Sequence, residues 1–288
     1  IGGLVMPLMQ AIDAFFVPMR LQDSGLSVAR ATELFGQLTG MAGSLINLPA
    51  IITTSLAVSL VPAVSEAMAL KKTWQVERRI LASGRLAFLL CLPATAGLGL
   101  LATPISILLY DIPEVGIPLR YLSPSVLFLG LYQTTAGALQ GLNHASVPVI
   151  NLTIGLIIKS FLNYILTAIP ALNIKGAAIA SVVAFFIAFI LNYLVLKFKF
   201  GIRFNLLRTT TIPLVATGLM LVITKYVYEV LFSAISNSLA TLVAIIIGAV
   251  VYFFVLLMLG GLSEEDLLVI PGIGRKMATV LKKLTILR

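Results

Sequence analysis

Long apolar runs separated by short polar stretches dominate the chain. A membrane-crossing helix needs about 20 mostly apolar residues. Eight segments meet that need, at roughly 1–19, 34–64, 86–109, 119–142, 147–169, 176–198, 212–232 and 239–262. The runs are continuous and lack the alternation within ten-residue segments that barrel strands show. The expected fold is therefore an all-α integral membrane protein with eight transmembrane helices. Two stretches punctuate it. Residues 71–85 mix Trp74, Val76, Ile80 and Leu81 with basic side chains, which predicts an amphipathic helix anchored on the membrane surface. Residues 111–118 form a short proline-bearing loop. The first run starts at Ile1 with no basic flank and no initiator methionine, so further chain is expected before it.

Composition supports the same class. Of 288 residues, 59% are hydrophobic and only 11% charged, against about 25% charged in soluble domains. Cys91 is the only cysteine and His144 the only histidine, which excludes a disulfide scaffold and a Cys/His zinc cluster. A Ser-His-Asp triad would need His144, which has no acidic neighbour in sequence. There is no Walker loop. The chain reads as a non-enzyme that needs no cofactor.

The net charge of +9 is mostly a topology signal. Of the 20 basic residues, 14 fall on one side: Lys71, Lys72, Arg78, Arg79 and Arg85, then Lys197, Lys199, Arg203 and Arg208, then Arg275, Lys276, Lys282, Lys283 and Arg288. Arg20, Arg30, Arg120 and Lys175 lie on the other. The positive-inside rule puts the larger set, and the C-terminus, in the cytoplasm. In the tail, 270–283 resembles a single helix-hairpin-helix element. One such element of about 15 residues fits a basic amphipathic helix on an anionic leaflet better than DNA binding, so no nucleic-acid partner is expected.

Polar residues within spans mark candidate chemistry, because a charge at the bilayer centre costs on the order of 2.5–3.5 kcal/mol on insertion scales. Asp13 and Lys159 are such charges. Asn151, Gly155, Lys159 and Asn163 recur every four residues and share one helix face, predicted to line a water-filled cavity. Gln10 sits one turn before Asp13. In the second span, Gly36, Gly40 and Gly43 suit close helix packing, and Asn47 precedes a Pro49 bend of the kind transporters use. In the fourth, Gln133 and Gln140 accompany Gly130, Gly137 and Gly141, which leaves pore lining and packing both open.

The stretches 4–14 (LVMPLMQAIDA), 35–42 (FGQLTGMA), 48–53 (LPAIIT), 55–67 (SLAVSLVPAVSEA), 139–142 (LQGL) and 173–178 (NIKGAA) carry a resemblance. Over nearly its whole length the chain resembles the polysaccharide transporter branch of the MOP (multidrug/oligosaccharidyl-lipid/polysaccharide) exporter superfamily, in its stage V sporulation protein B-like members. The resemblance implies 14 helices in a bacterial plasma membrane: two six-helix lobes related by pseudo-two-fold symmetry, and two further helices. Residues 1–205 would be the second lobe, 206–262 the extra pair, and 263–288 a cytoplasmic basic tail. The first lobe would be a partner in cis or in trans.

The implied cargo is an undecaprenyl-pyrophosphate-linked saccharide, such as a cell-wall or spore-cortex precursor, moved by alternating access. The implied partners are that lipid-linked sugar, membrane lipids and a coupling proton or cation. A multidrug or cation antiporter of the related MATE type is the alternative. On this reading Lys159, Arg20 and Arg30 meet the pyrophosphate, and Asp13 pairs Lys159 or couples an ion. Gln10, Asn47, Asn163, Gln133 and Gln140 complete the substrate-binding set. Lipid II flippases of the superfamily carry an arginine a few residues before the Leu-Pro of the second span. Ser44 stands there, which favours the sporulation-type or general polysaccharide branch.

Overall fold

The computed structural model describes residues 2–204 and 206–261, so the tail with its hairpin-like motif lies outside the described residues. Among the described residues the fold is helical throughout. Its elements are α1 (Gly2–Asp23), α2 (Val28–Gly36), a π-helical stretch (Gln37–Ala42), α3 (Gly43–Ala69), α4 (Thr73–Leu100), α5 (Ala102–Tyr110), a short 3-10 turn (Pro113–Val115), α6 (Gly116–Leu122), α7 (Pro124–Gly141), α8 (Ser146–Leu166), α9 (Ile174–Phe200), α10 (Leu206–Phe232) and α11 (Asn237–Met258).

Among the described residues, six helices are long and apolar enough to cross a membrane. The number rises to seven if Pro113–Leu122 and Pro124–Gly141, bent by 43° at Ser123, form one span. The expected first span falls on α1, a 22-residue helix outside those six. The predicted surface helix at 71–85 is not a separate element. Thr73–Leu100 is one unbroken helix, because Val76 and Ile80 bury themselves in the core cluster with Leu60, Val64 and Leu139 and so extend the spanning helix outward. Only Trp74 of its apolar residues is left largely exposed.

The ends follow local chemistry. The Ser27 hydroxyl caps α2 by accepting the Arg30 N–H at 3.3 Å. Gly201, at φ +71°, ends α9 in a left-handed turn. Inside α4, Pro93 has no N–H to give the carbonyl four residues back. That carbonyl, of Leu89, accepts instead from the Tyr252 hydroxyl of α11 at 2.7 Å, so a proline defect becomes a tether for the C-terminal hairpin.

Glycines set the close crossings. A Cβ on Gly137 would stand 2.7 Å from the Ala57 carbonyl oxygen of α3, and one on Gly141 2.7 Å from Val64 Cβ. The glycines of α7 are thus packing residues. Gly155 serves α8 against α9 in the same way, its Cβ position lying 2.7 Å from the Ala184 carbonyl oxygen. Helix α7 packs against α3, α4 and α9, while α1 lies on α8, and α10 with α11 forms a hairpin against α4 and α5.

Candidate functional site

Helix α8 repeats polar or small residues every four positions, so one face carries Asn151, Gly155, Lys159 and Asn163. That face turns into the protein. Lys159 donates from Nζ to Asp13 Oδ2 on α1, with side-chain exposures of 6% and 13%. Asn163 Nδ2 donates to the other oxygen, Asp13 Oδ1, at 2.8 Å. The carboxylate of α1 is therefore gripped at both oxygens by one face of α8. At the end of the contact Arg20 of α1 donates from Nε to the Tyr164 carbonyl at 2.8 Å, and its guanidinium lies 4.0 Å from the Tyr164 ring centroid. Arg20 also pairs with Asp23 at 2.5 Å.

The other end of the stripe makes a neutral network. Asn151 Nδ2 donates to Asn192 Oδ1 of α9 at 2.8 Å, and Asn192 Nδ2 reaches Thr135 Oγ1 of α7 at 3.4 Å. All three residues are buried. Among the described residues this face packs against α1 and α9, where a water-filled cavity was expected. Gly155 brings α9 too close, and each larger polar residue of the stripe has a partner on a neighbouring helix. Lys159 sits as the partner of Asp13. Two oxygens of the same face, Asn163 Oδ1 and Thr167 Oγ1, are buried without a partner, one turn apart.

The remaining candidates do not join this cluster. Arg30 lies at the start of α2, paired with Glu33 at 2.8 Å and with Glu114 of the 3-10 turn at 2.7 Å. Gln133 accepts from the Thr53 hydroxyl across the α3–α7 contact. Gln140 is exposed near the end of α7. Gln10 is exposed on α1.

Asn47 is exposed on α3, on a face with Gly36, Gly40, Ser44, Thr54 and Ser55. The backbone irregularity of this span lies in the π-helical stretch at Gln37–Ala42 rather than at Pro49, through which α3 runs on. Such π segments favour functional positions. Neither Asn192 nor Glu114 was singled out from sequence. Asn192 is an amide inside an apolar run, the same signal that marked Asn151. Glu114 needed the fold to bring it to Arg30, 84 residues away. No group of three or more His, Cys, Asp and Glu converges among the described residues.

The family model for the lipid II flippase MurJ matches residues 41–248. Three relatives come from Bacillus subtilis (strain 168). The membrane protein YabM is 28% identical over 290 residues, covering 98% of this chain and 53% of its own length. Stage V sporulation protein B is 34% identical over 172 residues, covering 58% of this chain and 33% of its own. Lipid II flippase MurJ is 26% identical over 287 residues, covering 95% and 52%. A solved structure of lipid II flippase MurJ in an inward closed conformation matches with a TM-score of 0.56 at 16% identity. It covers 79% of this chain and 52% of that one, a likeness that shows the fold. The chain spans about half or less of the length of these curated relatives. A family match across most of the sequence, on an all-helical membrane fold, establishes that this chain belongs to the lipid II flippase MurJ family within the MOP exporter superfamily.

Proposed function

We propose that the chain is the C-terminal half of a flippase that moves an undecaprenyl-pyrophosphate-linked saccharide across the bacterial plasma membrane by alternating access. Residues 1–205 act as the six-helix lobe, with α1 as its first crossing helix, and 206–262 supply two more crossings. A first lobe, in cis or in trans, completes the cavity. Family membership supports the lipid-linked cargo over the antiporter reading. The exposed polar faces of α1 and α3, with Gln10, Ser44, Asn47 and Ser55, support a wet partner surface, since lipid would be a poor solvent for them. Ser44 in place of a flippase arginine supports a sporulation-type or general saccharide as cargo.

The observation that carries the mechanism is the buried Lys159–Asp13 pair. An ammonium and a carboxylate held together are nearly neutral as a unit, and either becomes costly alone. An anionic pyrophosphate reaching the α1–α8 seam offers Lys159 a second partner. Asp13 then takes a proton or a cation, and the seam is free to shift. Arg20 and Arg30, toward the outer end, guide the head group, and the amides of Asn47, Gln133 and Gln140 meet sugar hydroxyls. The exchange links cargo occupancy to the packing of two helices.

The test is export in a flippase-deficient strain that supplies a first lobe together with this chain. Lys159→Ala should lower flux at normal membrane abundance, and Lys159→Arg should keep part of it because charge is retained. Normal flux in Lys159→Ala at normal abundance removes Lys159 from cargo handling. Full complementation by the chain alone removes the need for the first lobe. Orientation is checked by cysteine labelling at Lys72, Pro113 and Lys283 in intact cells. An impermeant reagent should reach only position 113, and modification at 283 reverses the assignment.

A further inference from the structure

The α10–α11 hairpin carries a feature separate from the α1–α8 seam. Both helices are long and apolar enough to cross a membrane, yet their outer faces differ. Helix α11 has no charged residue from Asn237 to Met258, and it shows Leu242, Ile246, Val250 and Phe254 to its surroundings, as lipid requires. Helix α10 exposes Val215, Val222, Lys225, Glu229 and Phe232 on one face, with Gly218 between them.

The rotation of α10 about its axis is fixed from the inside. Ala216 and Met220 pack with Leu89 of α4 and with Tyr252 and Leu256 of α11. Thr224 lies against Gly248, and the Tyr228 hydroxyl donates to Asn237 Oδ1 at 2.8 Å. The outward face therefore holds two charges in a spanning segment. Lys225 and Glu229 are 63% and 62% exposed, and their 3.8 Å separation is too long for a hydrogen bond. Lys225 lies seven residues inside the end of α10 at Phe232, about 10 Å along the axis. Charges at such depth face a partner more often than lipid.

The spacing says which partner. Val215, Gly218, Val222, Lys225, Glu229 and Phe232 recur at alternating steps of three and four, the repeat of a two-helix seam. We infer that α10 is the contact between two copies of this chain, packed side by side about a two-fold axis along the membrane normal. Copies inserted in the same sense bring like-numbered residues face to face. Gly218, whose Cβ position meets no other part of its own chain within 4 Å, lets the two helices approach. In such a seam Lys225 stands beside Glu229 of the second copy as well as its own. Two ammoniums and two carboxylates then alternate around a ring, and each charge gains a second opposite neighbour. Sliding one helix by a turn breaks the alternation, so the ring also sets the register. The contact uses neither the Lys159–Asp13 pair nor the cargo proposed for it.

Cross-linking in membranes tests this. The chain is made in two tagged forms together with a first lobe, and Cys91→Ala removes its only cysteine. On oxidation, Val222→Cys should give a disulfide-linked dimer carrying both tags, while Ile246→Cys on the outer face of α11 stays monomeric. Lys225→Glu gathers four carboxylates and should lower the Val222→Cys yield about tenfold, because like charges across an interface repel strongly. Adding Glu229→Lys restores the alternation and should restore the yield. Gly218→Leu has room to fold in its own chain and should block the dimer by holding the helices apart. A photoreactive benzophenone attached at Tyr226→Cys, beside the seam, should capture the second tag. Capture of the first lobe instead gives the face to that lobe and overturns the proposal, as does capture of lipid alone. Equal linking at Val222→Cys and Ile246→Cys reduces the dimer to chance collision. An unchanged yield in both Lys225→Glu and Gly218→Leu overturns the seam.

Discussion

Two sets of ion pairs tie helices together in this molecule, alike in chemistry and opposite in burial. At the α1–α8 seam, Lys159 and Asp13 are almost wholly enclosed, at 6% and 13% side-chain exposure. At the α2 corner, Arg30 bridges Glu33 and Glu114 with exposures of 36%, 54% and 49%. Each group of the corner can be rehydrated when its partner goes. Neither group of the seam can. Coulomb attraction at contact is similar in form for both, and the surroundings decide how strongly the structure feels its loss. The corner is therefore a loose fastening, whose Arg30 can leave either acid for another anion at little cost. It joins α2 to the 3-10 turn and reaches the π-helical stretch through Gln37, whose amide donates to Glu33 at 3.4 Å. The seam is a device whose state matters, because breaking it is costly unless another ion replaces the lost partner.

The largest expected effect comes from breaking the seam on one side. Asp13→Ala leaves Lys159 charged and enclosed, which should cost about 3–5 kcal/mol. Thermal unfolding in detergent and membrane abundance both report it. Lys159→Met in the Asp13→Ala background should recover part of the loss, since no charge is then left enclosed and only the Asn163 amide lacks its acceptor. If the double variant is as unstable as the single one, the seam is held by packing and not by charge.

Removing polarity without charge separates the two ends of α8. Asn192→Leu strips Asn151 of its acceptor and Thr135 of its donor, at about 1–3 kcal/mol for the buried groups left unpaired. The loss should fall below that of Asp13→Ala in the same unfolding assay. Equal losses would mean that the Lys159 charge adds nothing to the cost of an unmet polar group.

Much of the helical pattern was legible because apolar runs of spanning length leave few alternatives. Asp13, Lys159 and Asn163 were legible as a set because charge inside a membrane helix demands a partner and the four-residue spacing chose the face. The direction of that face was not. A stripe of Asn, Gly and Lys is compatible with water or with a neighbouring helix, and only the approach of Ala184 to Gly155 settles it. Glu114 was illegible for another reason. An acid in a proline-bearing loop looks solvated until folding places it 2.7 Å from Arg30. The merger of 71–85 into α4 was illegible because the first turns of a long helix, buried on one side, show the same amphipathic pattern as a surface helix.

The smallest expected effect sharpens the comparison from its exposed side. Glu114→Gln keeps the shape of the corner and removes one of the two acids on Arg30. With all three side chains more than a third exposed, the change in stability should stay below about 1 kcal/mol. Salt should shrink it further, because the Debye length falls to about 3 Å at 1 M and such pairs are then screened. The enclosed Asp13 has little contact with mobile ions, so the cost of Asp13→Ala should change little between 0.05 and about 1 M salt. A cycle of Glu114→Gln and Arg30→Gln, measured at both salt concentrations beside the Asp13 and Lys159 cycle, puts the two regions on one scale. A salt-insensitive loss at Glu114 as large as that at Asp13 would show that the α2 corner is sealed from water. It would then have to be counted with the seam as an enclosed ion pair.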